Sequence, residues 1–191
     1  HYFIKNNGEV LNLVPDLYEA WHAGKSSWKN YKSLNKYSIG IEINNPGHDY
    51  GYKNFSSYQI ASLIKLLKYL KKKYKIKNQN ILGHSDISPN RKKDPGEKFP
   101  WKYLAKNKLC HWHILNEDRI KKFRKKELTI KDQDNFIKNL YKIGYSKIDK
   151  SEVIKNKLFL VKAFQRKFRQ NLINGKIDKE CLLISKNLLK S

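Results

Sequence analysis

The sequence predicts an α/β fold, a mixed sheet flanked by helices, followed by a small all-α region. Short alternating apolar runs near the amino terminus are typical of strands, and a long apolar stripe at helical spacing follows them. The carboxyl-terminal third shows helical spacing alone. With 191 residues, the chain is long enough for one sizeable core and a small second unit.

The first strands form a predicted β-hairpin. Tyr2 to Lys5 and Glu9 to Val14 are strand-like runs, and residues 6–8 (Asn-Asn-Gly) between them tolerate positive φ. Residues 16–34 resemble a loop. The next run, residues 37–43 (YSIGIEI), alternates cleanly, so one face is apolar while Glu42 shares the other face with a glycine.

A helix follows, and we expect a buried strand after it. Ser56 and Gln59 fit a capping box, and an apolar stripe continues through Ile60, Leu63, Ile64, Leu67 and Leu70. The apolar run 81–83 predicts a short buried strand. Because a strand–helix–strand unit pairs its strands in parallel, the ends of both strands meet at one edge of the sheet. Glu42 and His84 should then be neighbours.

The region from residue 128 predicts three short helices. Thr129 and Asp132 fit a capping box, Gly144 can end the first helix, and Asp178 can begin the third. The change of pattern predicts two domains, residues 1–120 and residues 128–191, joined by a basic link.

The chain is strongly basic, with 41 Lys+Arg against 17 Asp+Glu and a net charge of +24. Such a charge favours an anionic partner: nucleic acid, an acidic membrane surface or a cell-wall polymer. The lysines are spread along the chain, which favours solvated helix faces. Since no nucleic-acid-binding signature accompanies them, nucleic acid is not an expected partner.

Membrane and cysteine signals are weak. No apolar run reaches the roughly 18–20 residues that span a bilayer, and no signal peptide is visible in a sequence that begins at His1. Cys110 and Cys181 are far apart and indicate neither a disulfide framework nor a zinc knuckle. The stretch 110–113 (CHWH) resembles a metal cluster, but packing at a domain edge is the favoured interpretation.

A Pro- and Gly-rich loop lies between His84 and Asp94. Such a loop can fold back and bring an imidazole and a carboxylate together, as a catalytic zinc ion requires. Two ligands alone do not define a site, and structural roles explain the same spacing. Asp86 is expected to brace the loop or orient His84.

Four motifs in matching order resemble a known family. They are HYFIKNNGEVLNLVP, AWHAG, SIGIEINNPGHDYGY and GHSDISPNRKKDPGEKFPW. Over roughly residues 1–105 the chain resembles the zinc-dependent N-acetylmuramoyl-L-alanine amidases of the type-2 amidase family. The resemblance implies hydrolysis of the amide between the lactyl group of N-acetylmuramic acid and L-alanine, with peptidoglycan or a muropeptide as substrate.

The resemblance assigns roles to individual residues. It places zinc ligands at His84 and Asp94, the proton-transferring carboxylate at Glu42, and the cation that stabilises the oxyanion at Lys92. Substrate contacts are expected from Trp21, His22 and Arg91, with packing as the alternative for His22.

One family feature has no counterpart in the sequence. The third zinc ligand of the family is a histidine on an earlier strand, whereas the His1-Tyr2 pair matches a later, non-ligating position of the family. Either an N-terminal piece is missing from the sequence or the protein has lost it. A non-catalytic peptidoglycan-binding protein derived from an amidase is therefore the alternative function.

Residues 160–184 resemble the three-helix peptidoglycan-binding module often fused to such amidases. A helical cap on the catalytic domain is the alternative. An attached wall-binding module predicts a location in the bacterial cell envelope, in the periplasm or on the outer-membrane side, with cytoplasmic recycling of muropeptides as the other possibility.

Overall fold

The computed structural model describes residues 1–148 and 152–190. The described strands are β1 (Tyr2–Ile4), β2 (Val10–Asn12), β3 (Ser27–Trp28), β4 (Tyr31–Lys32) and β5 (Ile41–Ile43). The described α-helices are α1 (Ser57–Tyr74), α2 (His84–Ile87), α3 (Trp101–Lys106), α4 (Glu117–Lys121), α5 (Ile130–Ile143), α6 (Val153–Phe168) and α7 (Lys179–Leu188). None of these helices is long and apolar enough to cross a membrane.

The central sheet is mixed, which confirms the predicted fold class. Its strand order is β2-β1-β5, with β1 antiparallel to β2 and parallel to β5. The predicted hairpin is present, and Gly8 adopts a φ of 86° in its turn. The register places Phe3 opposite Glu42, so the carboxylate lies on the outer strand of the sheet.

The strand predicted at residues 81–83 is wrong. This segment is not a strand in the structure, and it connects a 3-10 turn (Asn78–Asn80) directly to α2. Local bonds use its backbone: Ile81 N donates to Asn78 O and Gly83 N donates to the Asp86 carboxylate. Ile81 O accepts a hydrogen bond from Lys167 Nζ. The predicted parallel pairing with the Glu42 strand is therefore absent from the described residues.

Two smaller differences concern the first half of the chain. Residues 16–34 were predicted as loop, yet they contain the antiparallel pair β3–β4. The strand predicted over residues 37–43 is shorter, because β5 covers only Ile41–Ile43. Gly40 still joins the sheet edge, since Tyr2 N donates to Gly40 O.

Helix α1 forms as predicted. Ser56 caps it by accepting a hydrogen bond from Gln59 N, and the Gln59 side chain completes the capping box. Its apolar stripe packs against the sheet, and we call this cluster the sheet core. The buried members of the sheet core are Ile4, Ile60, Leu63, Leu66, Leu67, Leu70, Phe99, Trp101, Leu104, Leu109 and Cys110.

The three predicted C-terminal helices are also present. Thr129 and Asp178 cap α5 and α7 with their side chains, and Gly144 ends α5. Their apolar faces form a second cluster, which we call the helical core. Its buried members include Phe136, Leu140, Leu160, Val161, Phe164, Phe168, Cys181, Ile184 and Leu188.

The helical core extends across the predicted domain boundary. Ala23, Trp28 and Leu34 are buried members of the same cluster, and Leu82 and Ile87 pack against it. Gly144 packs so closely on Trp28 that an added Cβ would lie 2.6 Å from the indole ring. The division into two domains remains a prediction, and residues 149–151 and 191 of the second unit lie outside the described residues.

Asp16 joins the first loop to the sheet and to α1, and this generates a prediction about acid stability. Its carboxylate accepts hydrogen bonds from Tyr2 Oη at 2.5 Å, Tyr74 Oη at 2.7 Å and Lys73 Nζ at 3.0 Å. Burial disfavours the charged form, but these donors outweigh burial and lower the pKa of Asp16 below 3.8. The stabilisation is therefore complete above about pH 4 and is lost as pH falls through the folded-state pKa.

We expect Asp16→Asn to lower the free energy of unfolding at neutral pH by about 1 kcal/mol. The same variant should lose less stability than the wild type on acidification, measured by urea denaturation from pH 7 to about pH 3. Asp49→Asn is the control, because the Asp49 side chain is 80% exposed. An identical acid-induced loss in Asp16→Asn and wild type would contradict the assignment.

Candidate active site

A groove of about 1030 Å³ lies beside β5. It brings together both residues that the sequence placed at one edge of the sheet, Glu42 and His84, although the strand expected before His84 is absent. The other groove-lining residues predicted for the site are Trp21, His22, Lys92 and Asp94. Their arrangement follows from two loops and one strand.

The turn that carries His84 is built around a buried carboxylate. Gly83 precedes the single-turn helix α2, and its N–H donates to Asp86 Oδ2 at 2.8 Å. Asp86 is 1% exposed and accepts further hydrogen bonds from Tyr145 Oη at 2.7 Å and Lys167 Nζ at 2.9 Å. Asp86 therefore braces the turn, and none of these contacts is with the imidazole of His84.

Both ring nitrogens of His84 face oxygen atoms. Nε2 lies 3.1 Å from Ala23 O, and Nδ1 lies 3.0 Å from Asp94 Oδ2. Since a carbonyl oxygen only accepts, Nε2 carries the proton in the neutral ring, and the Nδ1 lone pair then faces the carboxylate. Two electron-rich atoms at this distance are held together only if a proton or a metal cation lies between them.

This pair fits two positions of a zinc site. Zinc ligands lie about 2.0–2.2 Å from the ion, which puts two tetrahedral ligands about 3.4 Å apart. A zinc-binding histidine commonly donates its second N–H to a backbone carbonyl, as His84 does to Ala23 O. Among residues 1–148 and 152–190, no group of three or more His, Cys, Asp or Glu side chains is arranged to hold a metal ion. The described residues thus offer two candidate ligands at this position.

The segment that carries Asp94 is a tight loop. The Asp94–Pro95 bond is cis, and Gly96 follows with a φ of 82°. Tyr52 Oη donates to Pro95 O at 2.6 Å and accepts from Lys98 N at 2.9 Å, so one phenol spans the loop. The loop is joined to the His84 turn by the bond from Ser85 N to Asp94 O at 2.9 Å.

The two carboxyl groups of the groove have opposite pKa shifts. Removal of water by the groove walls raises the pKa of Glu42, and the nearby Asp94 raises it further, while His84 and Lys92 oppose this change. Loss of water acts in the same direction on Asp94, whose side chain is 54% exposed. The hydrogen bond and charge that His84 supplies when Nδ1 carries a proton, with Lys92, outweigh that effect and lower the pKa of Asp94. Asp94 therefore stays ionised while Glu42 binds a proton more readily.

The two basic residues assigned by resemblance occupy different places. Lys92 lines the groove and acts electrostatically on both Glu42 and Asp94. The Arg91 guanidinium donates to Ala23 O at 2.8 Å and to Lys25 O at 3.3 Å. Arg91 thus holds the loop whose carbonyl contacts His84, and its contact with substrate remains a prediction.

Trp21 and His22 both line the groove, in different environments. Trp21 is 94% exposed. His22 is half-buried, with Nε2 3.2 Å from Ser38 O, and an added Cβ on Gly40 would lie 2.3 Å from its ring. His22 therefore packs on β5 as well as lining the groove. Substrate binding by either residue remains a prediction.

Three other histidines make contacts within the fold, and two of them, His1 and His48, also line the groove. His1 is buried, with Nε2 2.9 Å from Tyr18 O and Nδ1 accepting from Gly40 N at 3.0 Å. His48 stacks on Tyr52 and lies 3.0 Å from a Glu97 oxygen. In the CHWH stretch, Cys110 and His113 are buried, and His113 stacks on Trp112.

Sequence reasoning missed the residues that hold the two site loops from behind: Tyr52, Tyr145, Lys167 and Gln170. Gln170 Nε2 donates to Glu97 O at 2.6 Å and to Phe99 O at 2.7 Å, just after the Asp94 loop. No local motif marks these side chains, because each acts across a long sequence separation. The FQRKF run at 164–168, which contains Lys167, was the nearest available signal.

Comparison with known proteins gives one matching family and several similar proteins. The family model described as N-acetylmuramoyl-L-alanine amidase matches residues 1–97. The N-acetylmuramoyl-L-alanine amidase AmiD of Escherichia coli is 34% identical over 202 residues, which cover 100% of this chain and 73% of AmiD. A solved complex of the E. coli protein with anhydro-N-acetylmuramic acid-L-Ala-D-γ-Glu-L-Lys superposes with a TM-score of 0.86, at 33% identity, covering 100% of this chain and 78% of that one. The crystal structure of AmpDh3 from Pseudomonas aeruginosa also gives a TM-score of 0.86, at 30% identity, covering 100% and 81%.

The packing of Gly96 generates a prediction about the Asp94 loop. A Cβ at Gly96 would lie 2.5 Å from Tyr52 Oη and 2.8 Å from His48 Cε1, and Tyr52 is held by its bonds to the loop. Gly51 has a similar φ of 86° but nothing within 4 Å of an added Cβ. Both alanine variants would have a similarly unfavourable positive φ, but only Gly96→Ala is overpacked.

We expect Gly96→Ala to destabilise the protein by about 1–3 kcal/mol more than Gly51→Ala, measured by urea denaturation. The difference between the two variants isolates the contact with Tyr52. Equal losses would mean that Tyr52 moves freely and does not hold the Asp94 loop.

Proposed function

The chain belongs to the N-acetylmuramoyl-L-alanine amidase family, and from this membership we infer that it hydrolyses the amide between the lactyl group of N-acetylmuramic acid and L-alanine in muropeptides. The observation that carries the inference is the convergence of Glu42, His84, Lys92 and Asp94 on one groove. The groove has room for an extended ligand of sugar and peptide at about 1030 Å³.

We propose zinc as the cofactor, with His84 Nδ1 and Asp94 Oδ2 as ligands. When bound, zinc would acidify a water molecule and polarise the scissile carbonyl. Support comes from the 3.0 Å separation of the two ligand atoms and from the bond of His84 Nε2 to Ala23 O, which orients the ring. A third protein ligand is not found among the described residues.

Glu42 is the proposed proton carrier. As a carboxylate it accepts a proton from the attacking water, and as the acid it passes that proton to the leaving nitrogen of L-alanine. Its raised pKa suits this cycle, because partial loss of water in the groove and the charge of Asp94 make this exposed carboxylate a stronger base than a freely solvated glutamate. The products are the lactyl carboxylate and the free amine of the stem peptide.

Lys92 is the proposed electrostatic partner of the transition state. Lys92 lines the groove and its charge acts on both Glu42 and Asp94, so it would stabilise the negative charge that develops on the carbonyl oxygen. We propose Trp21 and His22 as substrate contacts, and Arg91 as a residue that acts through the loop at Ala23 to Lys25.

We further propose that the three C-terminal helices bind peptidoglycan and that the protein works in the bacterial cell envelope. Resemblance of residues 160–184 to wall-binding modules supports the first proposal. The activity of the E. coli relative named as an amidase on muramic-acid peptides is compatible with the second.

Three variants test the catalytic roles: Glu42→Gln, Lys92→Met and the control Lys93→Met. We expect Glu42→Gln to lower kcat for a soluble muropeptide by about 10²–10⁴-fold and Lys92→Met to lower it by about 10²–10³-fold, with binding of substrate retained. Lys93→Met is the control, since Lys93 is exposed and pairs with Asp49 at 3.8 Å. Turnover by Glu42→Gln within a few-fold of the wild type would remove Glu42 from its role.

Zinc binding is tested by titration of the full chain with zinc. We expect one site, lost in His84→Ala and retained in His113→Ala, the control that asks whether the CHWH stretch binds the metal instead. Chelation should abolish turnover and added zinc should restore it. A zinc-loaded protein that binds muropeptide without cleaving it would instead support the non-catalytic alternative.

A further inference from the structure

The carboxyl-terminal end of α6 carries an unusual lysine. Lys167 is 4% exposed, and among residues 1–148 and 152–190 it is the one lysine classed as buried. Lysine normally extends its ammonium into water, so burial of this group requires partners inside the protein.

The partners of Lys167 belong to the segment that leads to His84. Its Nζ lies 2.9 Å from Asp86 Oδ2 and 3.0 Å from Ile81 O, and 4.4 Å from the centroid of the Trp101 ring. The same Trp101 ring lies 3.2 Å from the Cβ position of Gly83. The Lys167 ammonium therefore contacts Ile81 before His84, Asp86 after it, and the ring of Trp101.

Tyr145 completes this set of contacts. Its hydroxyl, in the segment after α5, donates to Asp86 Oδ1 at 2.7 Å, while Gly83 N and Lys167 share Oδ2. The Asp86 carboxylate thus receives three donors, and two of them come from the C-terminal helical region. Without those two, an ionised carboxylate would remain buried with one backbone N–H.

The segment that carries Asp94 is held from the same helix end. Gln170, three residues after Lys167, donates to the carbonyls of Glu97 and Phe99. The two site segments are joined directly by Ser85 N and Asp94 O. The end of α6 and the residues just after it therefore contact both the segment that carries His84 and the segment that carries Asp94. The side chains of these two residues lie 3.0 Å apart in the groove.

We propose that Lys167 is a positioning residue for His84 and Asp94, acting through Asp86 and assisted by Tyr145 and Gln170. This inference rests on the proposed function, in which His84 and Asp94 bind zinc. The C-terminal helices are then part of the machinery that shapes the metal site, whether or not they also bind the wall. If Lys167 had a purely structural role, it would hold α6 against the segment 81–86 without affecting the geometry of His84 and Asp94.

The test replaces Lys167 with an apolar side chain of similar length. In Lys167→Met we expect the dissociation constant for zinc, measured by competition with a chromophoric chelator, to rise about 10–100-fold. Amide hydrogen exchange at Ser85 should also accelerate, because that N–H reports the link between the two ligand segments. Both measurements use the full chain well below its unfolding midpoint.

Arg124→Met is the matched control. Arg124 makes a two-pronged ion pair with buried Glu180 at 2.7 and 2.9 Å, away from the two site segments. It should lose stability yet keep zinc affinity and Ser85 exchange within about two-fold of wild type, since it removes no contact of the site. If Lys167→Met changes both readouts no more than Arg124→Met, Lys167 is an anchor only and the proposal is overturned.

A second variant covers the case in which Lys167→Met does not fold. Gln170→Leu removes two hydrogen bonds at a partly buried position, and it should weaken zinc binding and speed Ser85 exchange in the same direction. Unchanged values in Gln170→Leu would then overturn the proposal. If the wild type itself binds no zinc, the proposed cofactor fails, and Ser85 exchange alone decides the positioning role.

Discussion

A buried carboxylate at Asp86 is the constraint on which the two halves of the molecule depend. An ionised group that is 1% exposed is tolerated only when donors replace the water it has lost. One donor, Gly83 N, comes from its own turn, and the other two come from Tyr145 and Lys167 in the helical region. The His84 turn and the helical region therefore share one set of hydrogen bonds, although they are far apart in sequence.

The groove also contains two interacting carboxyl groups whose pKa values are shifted in opposite directions. Both side chains are exposed to the groove, but partial removal of water by its walls favours the neutral form of each. A proton on His84 Nδ1 gives Asp94 a hydrogen bond and a neighbouring positive charge, so the pKa rise remains on Glu42. One group is thus suited to remain ionised beside a metal and the other to exchange a proton, which is the separation that acid–base catalysis by paired carboxyl groups requires. Lys92 limits the shift of Glu42 and keeps its carboxylate form accessible.

Features with local signals could be predicted from the sequence. The Gly8 turn, the Ser56 cap and the Thr129 and Asp178 caps each depend on neighbours a few residues away, and each is present. The run 81–83 could not be resolved, because three apolar residues fit a strand or an extended lead into a helix equally well. Pairs as short as β3–β4 have no periodicity to detect.

The sequence predicts that Glu42 and His84 are neighbours because their strands pair, and the structure has no strand at residues 81–83. The resemblance assigns both residues to one site, and both line the groove. Burial of Lys167 had no signal, since one lysine among so many carries no distinguishing pattern.

The apolar faces of the three C-terminal helices pack in the helical core, which includes Trp28 and Leu34 from the first part of the chain. A further partner would therefore contact the exposed side chains of these helices. What remains exposed on α5 includes Lys131, Lys138 and Lys142, together with Asp134 on the same side, so this side keeps a net positive charge. Such a face attracts anionic polymers over about one Debye length, roughly 10 Å at moderate salt. Contact with an acidic wall through these lysines would leave the packed faces undisturbed, so wall binding and support of the catalytic turn are compatible in the same three helices. Because both proposed roles would depend on the same docked arrangement, cutting the helices away would remove the proposed wall contact and at the same time expose the carboxylate of Asp86 in the His84 turn.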